Sequence, residues 1–205
     1  MENKVELIGL YGDDTTIALS AWTSTSRELT DDKRSRIPSL LKMLAENEHG
    51  TPFEKSSLHF LVTSDIASHI HCIKHRIGVS VNAESARYKE LRDDKYYIPT
   101  DWPKMEQDLF EAYCLDALQC YHECLERLLQ YGMDRKRAKE SARFYLPYAN
   151  QIRFDIMFNF RSFVLFQRLR NSSGAQLEIR EIAEKMLSLV KEDGRFKFSL
   201  EAFNL

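Results

Sequence analysis

Lys74-His75-Arg76-Ile77-Gly78-Val79-Ser80-Val81-Asn82-Ala83-Glu84-Ser85-Ala86-Arg87-Tyr88 sets two cations and a histidine ahead of a hydroxyl- and amide-rich loop and closes on a third cation. The pattern suits an anionic ligand. Arg76 and Arg87 present forked donors to phosphate oxygens, Ser80, Asn82 and Ser85 supply short donors, and Gly78 lets backbone approach closely. A solvated helix end followed by a polar turn accounts for the same composition, so residue types alone leave both readings open.

Upstream, Asp65 is placed to cap a helix in which Ile66, Ile70 and Ile73 recur at helical spacing, with the charged triplet at its far end. Leu58, Phe60 and Val62 alternate ahead of it and predict a strand. Further back, Asp31-Asp32 opens a helix over Ile37, Leu40, Leu41 and Leu44, which Glu48-His49-Gly50-Thr51-Pro52 must break. Thr51 and Glu54 have the spacing of a helix-start capping pair. Residues 4 to 11 read as a strand, ended by Gly12-Asp13-Asp14, and Asp14 is expected to cap a short helix over Thr15 to Thr23.

Downstream, the segment after the triplet reads as a loop rich in Ser and Asn. Met105, Leu109, Tyr113, Ala117, Tyr121, Leu125 and Leu128 then mark a long amphipathic helix from about 104 to 131, stopped by Gly132. Asp134 caps another helix that ends near Pro147; residues 150 to 170 and Gln176 to Val190 are read as two more, separated by Asn171-Ser172-Ser173-Gly174. Two or three strands and about six helices, concentrated in the second half, imply an α+β fold with a small mixed or antiparallel sheet, in one domain over 1–205. The glycine fingerprints of dinucleotide-binding and P-loop folds and the hydrolase elbow G-x-S-x-G are absent from the sequence.

The 29 Lys+Arg nearly balance the 31 Asp+Glu, which argues against a duplex-DNA coat or a polybasic membrane tether. Any anionic ligand must therefore be met locally. No RNP-type motif favours single-stranded RNA, and no nucleic acid or membrane partner is expected. No signal-peptide pattern or long uncharged apolar run occurs, so a cytoplasmic protein is expected. Cys72, Cys114, Cys120 and Cys124 lack zinc-knuckle spacing and read as reduced, packed thiols; Cys120, His122 and Cys124, two apart on one helix, point away from one another. His69, His71 and His75 have no nearby carboxylate to complete a metal set, and none is assigned.

The triplet, followed after eight residues by Ser85, then Ala86, Arg87 and Tyr88, resembles the signature of the flavin-dependent thymidylate synthases. The resemblance continues in order through His49-Gly50-Thr51-Pro52-Phe53-Glu54, Tyr97-Ile98-Pro99, Arg143-Phe144-Tyr145-Leu146-Pro147, Asn159-Phe160-Arg161-Ser162 and Leu169-Arg170-Asn171-Ser172-Ser173-Gly174-Ala175-Gln176-Leu177-Glu178-Ile179. It implies an FAD enzyme that methylates dUMP at C5 to dTMP with methylenetetrahydrofolate and NADPH. It also implies a homotetramer whose sites are completed by residues of different chains. Thr51, Glu54, Lys74, His75, Arg76, Asn159 and Arg161 are implied to lie near FAD, and Ser85, Ala86 and Arg87 at the dUMP phosphate with Arg143 of a neighbouring chain. Arg170 is implied to lie at the pyrimidine ring as the catalytic donor. The same resemblance admits a flavoenzyme that methylates or hydroxymethylates another pyrimidine nucleotide such as UMP, or a non-catalytic flavin- or nucleotide-binding homologue. Here Lys74 stands where the family has its first arginine, Ala83 or Glu84 where it has glutamate, Gly174 where some members carry histidine, and Leu165 where some carry asparagine.

Overall fold

The computed structural model describes residues 2–85, 90 and 95–205. Its sheet has four strands, β1 (Lys4–Tyr11), β2 (Ser57–Asp65), β3 (Val79–Ala83) and β4 (Gln151–Asn159), in the order β1-β2-β4-β3. The α-helices are α1 (Asp14–Trp22), α2 (Asp31–Ser35), α3 (Ile37–Glu46), α4 (Ile66–Ile73), α5 (Lys104–Gln130), α6 (Arg135–Ala142), α7 (Phe160–Arg170), α8 (Leu177–Asp193) and α9 (Lys197–Ala202). Thr51–Lys55 and Arg143–Tyr145 form short 3-10 turns. The expected α+β class and the helix-rich second half are both found. No helix among the described residues is long and apolar enough to cross a membrane.

Four local expectations change. The segment after the triplet is a strand rather than a loop: Val79, Val81 and Ala83 alternate with the more exposed Ser80 and Asn82. The Asn159 N–H donates to Gly78 O, and the Glu84 N–H to Arg153 O, so β3 runs antiparallel to β4. Residues 150 to 170 are a strand followed by a helix, because Phe154, Ile156 and Phe158 bury one face at period two up to Asn159, where the period changes. The helix expected around Ile37 is two helices, since Pro38 lies in the first turn of α3 and cannot continue the N–H ladder of α2. Finally Asp13, not Asp14, caps α1, accepting the Thr16 N–H at 2.6 Å.

The chain divides into two compact units. The first comprises Met1–Lys4, Thr63–Cys72 and Asn82–Phe154. In it α5 packs against α6 and the Arg143–Tyr145 turn, burying Tyr121, Leu125, Ala138 and Ala142, with Cys124 packed alongside. Asp65 caps α4 by accepting the Ser68 N–H at 2.7 Å, and Asn3 donates to its other oxygen at 2.9 Å. All four cysteines are free thiols; burial raises that of Cys114 to about 11, which suppresses its thiolate at neutral pH.

The second unit comprises Val5–Val62, Ile73–Val81 and Asp155–Leu205. Its core is aromatic. Phe53, Phe60, Phe158, Phe160, Phe163, Phe166 and Phe196 are fully buried, and successive rings meet at centroid distances such as 5.0 Å for Phe158 and Phe166 and 5.1 Å for Phe160 and Phe196. Such contacts add roughly 0.5–1.5 kcal/mol per pair beyond area burial. The helix expectations did not include α9, which packs on α3. Its first turn is held by Asp14, whose carboxylate accepts the N–H groups of Phe198 at 2.8 Å and Ser199 at 2.9 Å. Burial raises the Asp14 carboxyl above its ordinary value, opposed by the Ser199 and Phe198 bonds.

Asp14→Ala leaves those two N–H groups without their acceptor, and unsatisfied buried donors cost about 1–3 kcal/mol. The expected outcome is an unfolding free energy from urea denaturation lowered by that amount, with a correspondingly lower midpoint, and with Asp14→Asn recovering only part of the loss because a single oxygen remains to accept while its NH2 faces the other donor. An unchanged midpoint for Asp14→Ala would remove this anchor from the account.

Candidate functional site

The residues of interest in the second unit converge on α7. Asn159 ends β4 and caps α7 in an extended conformation, its Oδ1 accepting the Ser162 N–H at 2.8 Å. Two residues on, Arg161 points back to the Thr51–Lys55 turn and donates to Glu54 at 2.8 Å. A β-carbon at Gly50 would stand 2.5 Å from Arg161 Nε, so the guanidinium stem lies directly against the backbone that precedes Thr51. Thr51 and Glu54 do not form the capping pair their spacing suggested. The turn has no side-chain cap, and Glu54 is engaged by Arg161 instead. That pair is partly solvated, so it contributes orientation more than stability.

Lys74, His75 and Arg76 lie between α4 and β3, with Lys74 and Arg76 exposed. The His75 ring sits edge-on to Phe166, centroids 5.0 Å apart, and its Nε2 lies 3.1 Å from Arg170 Nε in the last turn of α7. A guanidinium only donates, so Nε2 is the acceptor and the imidazole proton resides on Nδ1. Burial, and then the Arg170 charge, lower the pKa of His75 below its ordinary value. The histidine is thus a neutral acceptor that orients a cation.

Beside these groups lies an open cleft of about 640 Å³, lined by Tyr11, Glu54, Lys55, Ser56, Ser57, Gly78, Val79, Ser80, Met157 and Asn159. Its volume is within the roughly 300–1,000 Å³ typical of small-molecule and cofactor sites. Tyr11, Val79 and Met157 provide apolar wall, while Lys55, the three serines and Asn159 provide polar contacts. The second unit therefore joins Glu54 and the backbone before Thr51 to Arg161, and His75 to Arg170, with Asn159 capping the same helix; Lys74 and Arg76 belong to this unit and flank His75, their side chains exposed. Ser85, half-buried, and Arg143, exposed on its 3-10 turn, belong to the first unit. Ala86 and Arg87 lie outside the described residues.

Residues 6–193 match the Thy1 family, described as thymidylate synthase complementing protein. This chain belongs to that family. Similar members include the flavin-dependent thymidylate synthase of Thermosipho melanesiensis, 30% identical over 203 residues that cover 92% of this chain and 85% of the relative. That of Pseudothermotoga lettingae is 31% identical over 194 residues, covering 91% and 84%. Among solved structures, the UMP/dUMP methylase PolB from Streptomyces cacaoi bound with 5-Br dUMP superposes with a TM-score of 0.83 at 27% identity, covering 99% of this chain and 95% of that one. Its complex with 5-Br UMP gives 0.77 at 25% identity, covering 99% and 94%.

Within this Thy1 chain, the sequence reading left out Ser162 and the conformation of Gly78 as site features. Ser162 donates its Oγ to Ile77 O at 2.6 Å, and Gly78 has φ +65°. The Asn-x-x-Ser cap signal before the apolar run of α7 was visible in the sequence. The partner of the serine hydroxyl, 85 residues away, was not. The other histidine with a lowered pKa, His69, is shifted by burial beside Phe154 in the first unit and has no part in this cluster.

His75 is expected to titrate below about 6.5, the ordinary histidine value. Because its folded pKa lies below the unfolded one, the unfolded chain binds the extra proton first. Its contribution to stability is therefore complete above the unfolded value and declines as pH falls from there through the folded value. In Arg170→Ala the value should rise toward the ordinary one while burial keeps it below. Selectively labelled histidine NMR reads both. A wild-type His75 titrating above the ordinary value would mean a protonated Nε2 and no bond from Arg170.

Proposed function

We propose that this protein is a flavin-dependent methyltransferase that converts dUMP to dTMP, using FAD, methylenetetrahydrofolate as carbon donor and NADPH as reductant. The observation that carries the reading is the convergence on α7 of Thr51, Glu54, His75, Arg161 and Arg170, residues scattered over 120 positions of a chain whose relatives are named for this reaction. The residues fit FAD by their chemistry. Lys74, Arg76 and Arg161 bring three cations to a near-neutral chain, as a diphosphate requires, and the cleft walls formed by Tyr11, Val79 and Met157 suit a planar ring. Thr51, Glu54, Lys74, His75, Arg76, Asn159 and Arg161 would hold it. When bound, a flavin supplies the hydride and one-carbon chemistry that protein side chains lack.

The chain's own groups orient and stabilise. C5 of a uracil ring is a weak carbon nucleophile whose reactivity rises as the ring takes on enolate-like negative charge, and a preorganised cation at the ring carbonyls favours that charged form. Arg170 takes that role. Neutral His75 accepts from Arg170 Nε, which restricts rotation of the guanidinium and directs it without competing for negative charge. Ser85, Ala86 and Arg87 bind the substrate phosphate, with Arg143 contributed by a neighbouring chain of a homotetramer. A hydroxyl needs no activation for that task, whereas attack on the pyrimidine would require an adjacent base. No protein nucleophile is invoked, and the protein acts in the cytoplasm as one domain.

UMP is a second candidate substrate, favoured by the superposition on a UMP/dUMP methylase. A site that leaves no room for the ribose 2′-hydroxyl discriminates strongly, so parallel assays with dUMP and UMP separate the two.

Purified protein is expected to take up FAD, to scatter light as a tetramer and to form dTMP from dUMP, methylenetetrahydrofolate and NADPH. A colourless monomer that cannot be reconstituted with FAD would reject the proposal, and flavin binding without methylation of either nucleotide would make it a non-catalytic homologue. Arg170→Ala is expected to lower dTMP formation by about 10²–10³, while NADPH still reduces bound flavin. Ser85→Ala should raise the apparent dUMP constant by roughly one to two orders of magnitude with detectable turnover at saturation, as loss of one charge-assisted hydrogen bond implies. Abolished turnover at unchanged dUMP binding would return Ser85 to consideration as a nucleophile.

A further inference from the structure

Residues 74–78 have neither helix nor strand of their own, yet they carry the Lys74-His75-Arg76 triplet. They gain little anchorage from apolar burial, since the Ile77 side chain is 88% exposed. What holds them is α7, at both of its ends. At the last turn, His75 is bound by Arg170 and packed on Phe166. At the first turn, Ser162, itself 8% exposed, donates Oγ to Ile77 O at 2.6 Å, and the Asn159 N–H donates to Gly78 O at 2.8 Å. Consecutive carbonyls of the segment are thus tied to adjacent groups of one helix start. Gly78 permits this approach twice over: its φ of +65° is one that side chains disfavour, and a β-carbon there would stand 2.2 Å from Asn159 Nδ2 and 2.4 Å from Ser162 Oγ.

We propose that Ser162 and Gly78 are positioning residues for the cofactor site: a hydroxyl-to-carbonyl clasp that sets where Lys74 and Arg76 stand relative to Arg161 and shapes the Gly78–Ser80 wall of the cleft. Neither residue touches the reacting atoms. Their effect is on how well the cationic set is arranged before a ligand arrives, which appears in affinity. The inference rests on the reading that an anionic flavin cofactor binds this cleft.

The test measures FAD affinity by flavin fluorescence, well below each variant's melting temperature, together with kcat at saturating FAD. Ser162→Ala is expected to raise the FAD dissociation constant about 3- to 10-fold, the worth of one net hydrogen bond, with kcat at saturating flavin retained. Ser162→Thr, which keeps the hydroxyl, should restore affinity. Gly78→Ala should weaken FAD more than Ser162→Ala, because it displaces both ties. A purely structural role predicts a lowered melting temperature with wild-type FAD affinity in the folded protein; that result for Ser162→Ala overturns the clasp even if Gly78→Ala fails to fold. Wild-type protein that binds no FAD overturns both the clasp and the flavin reading. Normal FAD binding by wild type and both variants overturns the clasp alone.

Discussion

Asn159 closes a strand and opens a helix within one residue, and its polar groups face two different residues, Gly78 and Ser162. Its N–H pairs with Gly78 O, its Oδ1 caps α7 at Ser162, and its Nδ2 side faces the position where Gly78 lacks a β-carbon. The constraint is geometric. A strand end placed in the sheet determines where the helix axis begins, and the helix then carries Arg161, Ser162, Phe166 and Arg170 to set positions one to three turns along. The triplet segment, lacking regular structure, takes its place from that helix.

The aromatic core makes the helix a usable reference. Phe160, Phe163 and Phe166 are fully buried, while Arg161, Leu165, Arg168 and Leu169 are exposed on the other side. Truncating such rings typically costs about 3–5 kcal/mol, so α7 does not shift readily to suit a ligand. Rigid packing behind the helix and polar groups in front of it are what preorganisation demands: donors held by the fold need not be ordered when charge develops. The Arg170–His75 bond extends this one step, because a neutral imidazole orients the guanidinium without neutralising it.

Electrostatics are local in this protein. With 29 basic and 31 acidic residues the chain has no global field to draw in an anion. The cations come from two distant stretches of the sequence, Lys74 and Arg76 on either side of His75 and Arg161 at the start of α7, and Arg161 has a carboxylate, Glu54, within hydrogen-bond distance. That solvated pair is cheap to rearrange compared with a buried one, which leaves Arg161 available to an anionic partner.

The sequence by itself determined a good deal. Period-two burial in residues 4–11 and 58–63, caps at Asp65 and Asp134, and the long stripe of α5 are local signals, and the ordered motifs from His49 to Ile179 identified the family and named Thr51, Glu54, His75, Arg161 and Arg170. It misjudged segments where two periods or two roles overlap. Residues 150–170 read as one helix because Phe158, Phe160 and Phe163 satisfy both strand and helix spacing across the junction, and β3 read as a loop because Ser80 and Asn82 are polar enough to hide its alternation. Asp13 and Asp14 are adjacent and equally able to cap α1; only the approach of α9 assigns the second to Phe198 and Ser199. Tertiary structure alone decided that Glu54 meets Arg161, that His75 is a neutral acceptor for Arg170, and that Ser162 reaches Ile77. Each depends on separations of 85 to 107 residues, and a local pattern carries no information about which distant groups the folded chain will place 3 Å apart.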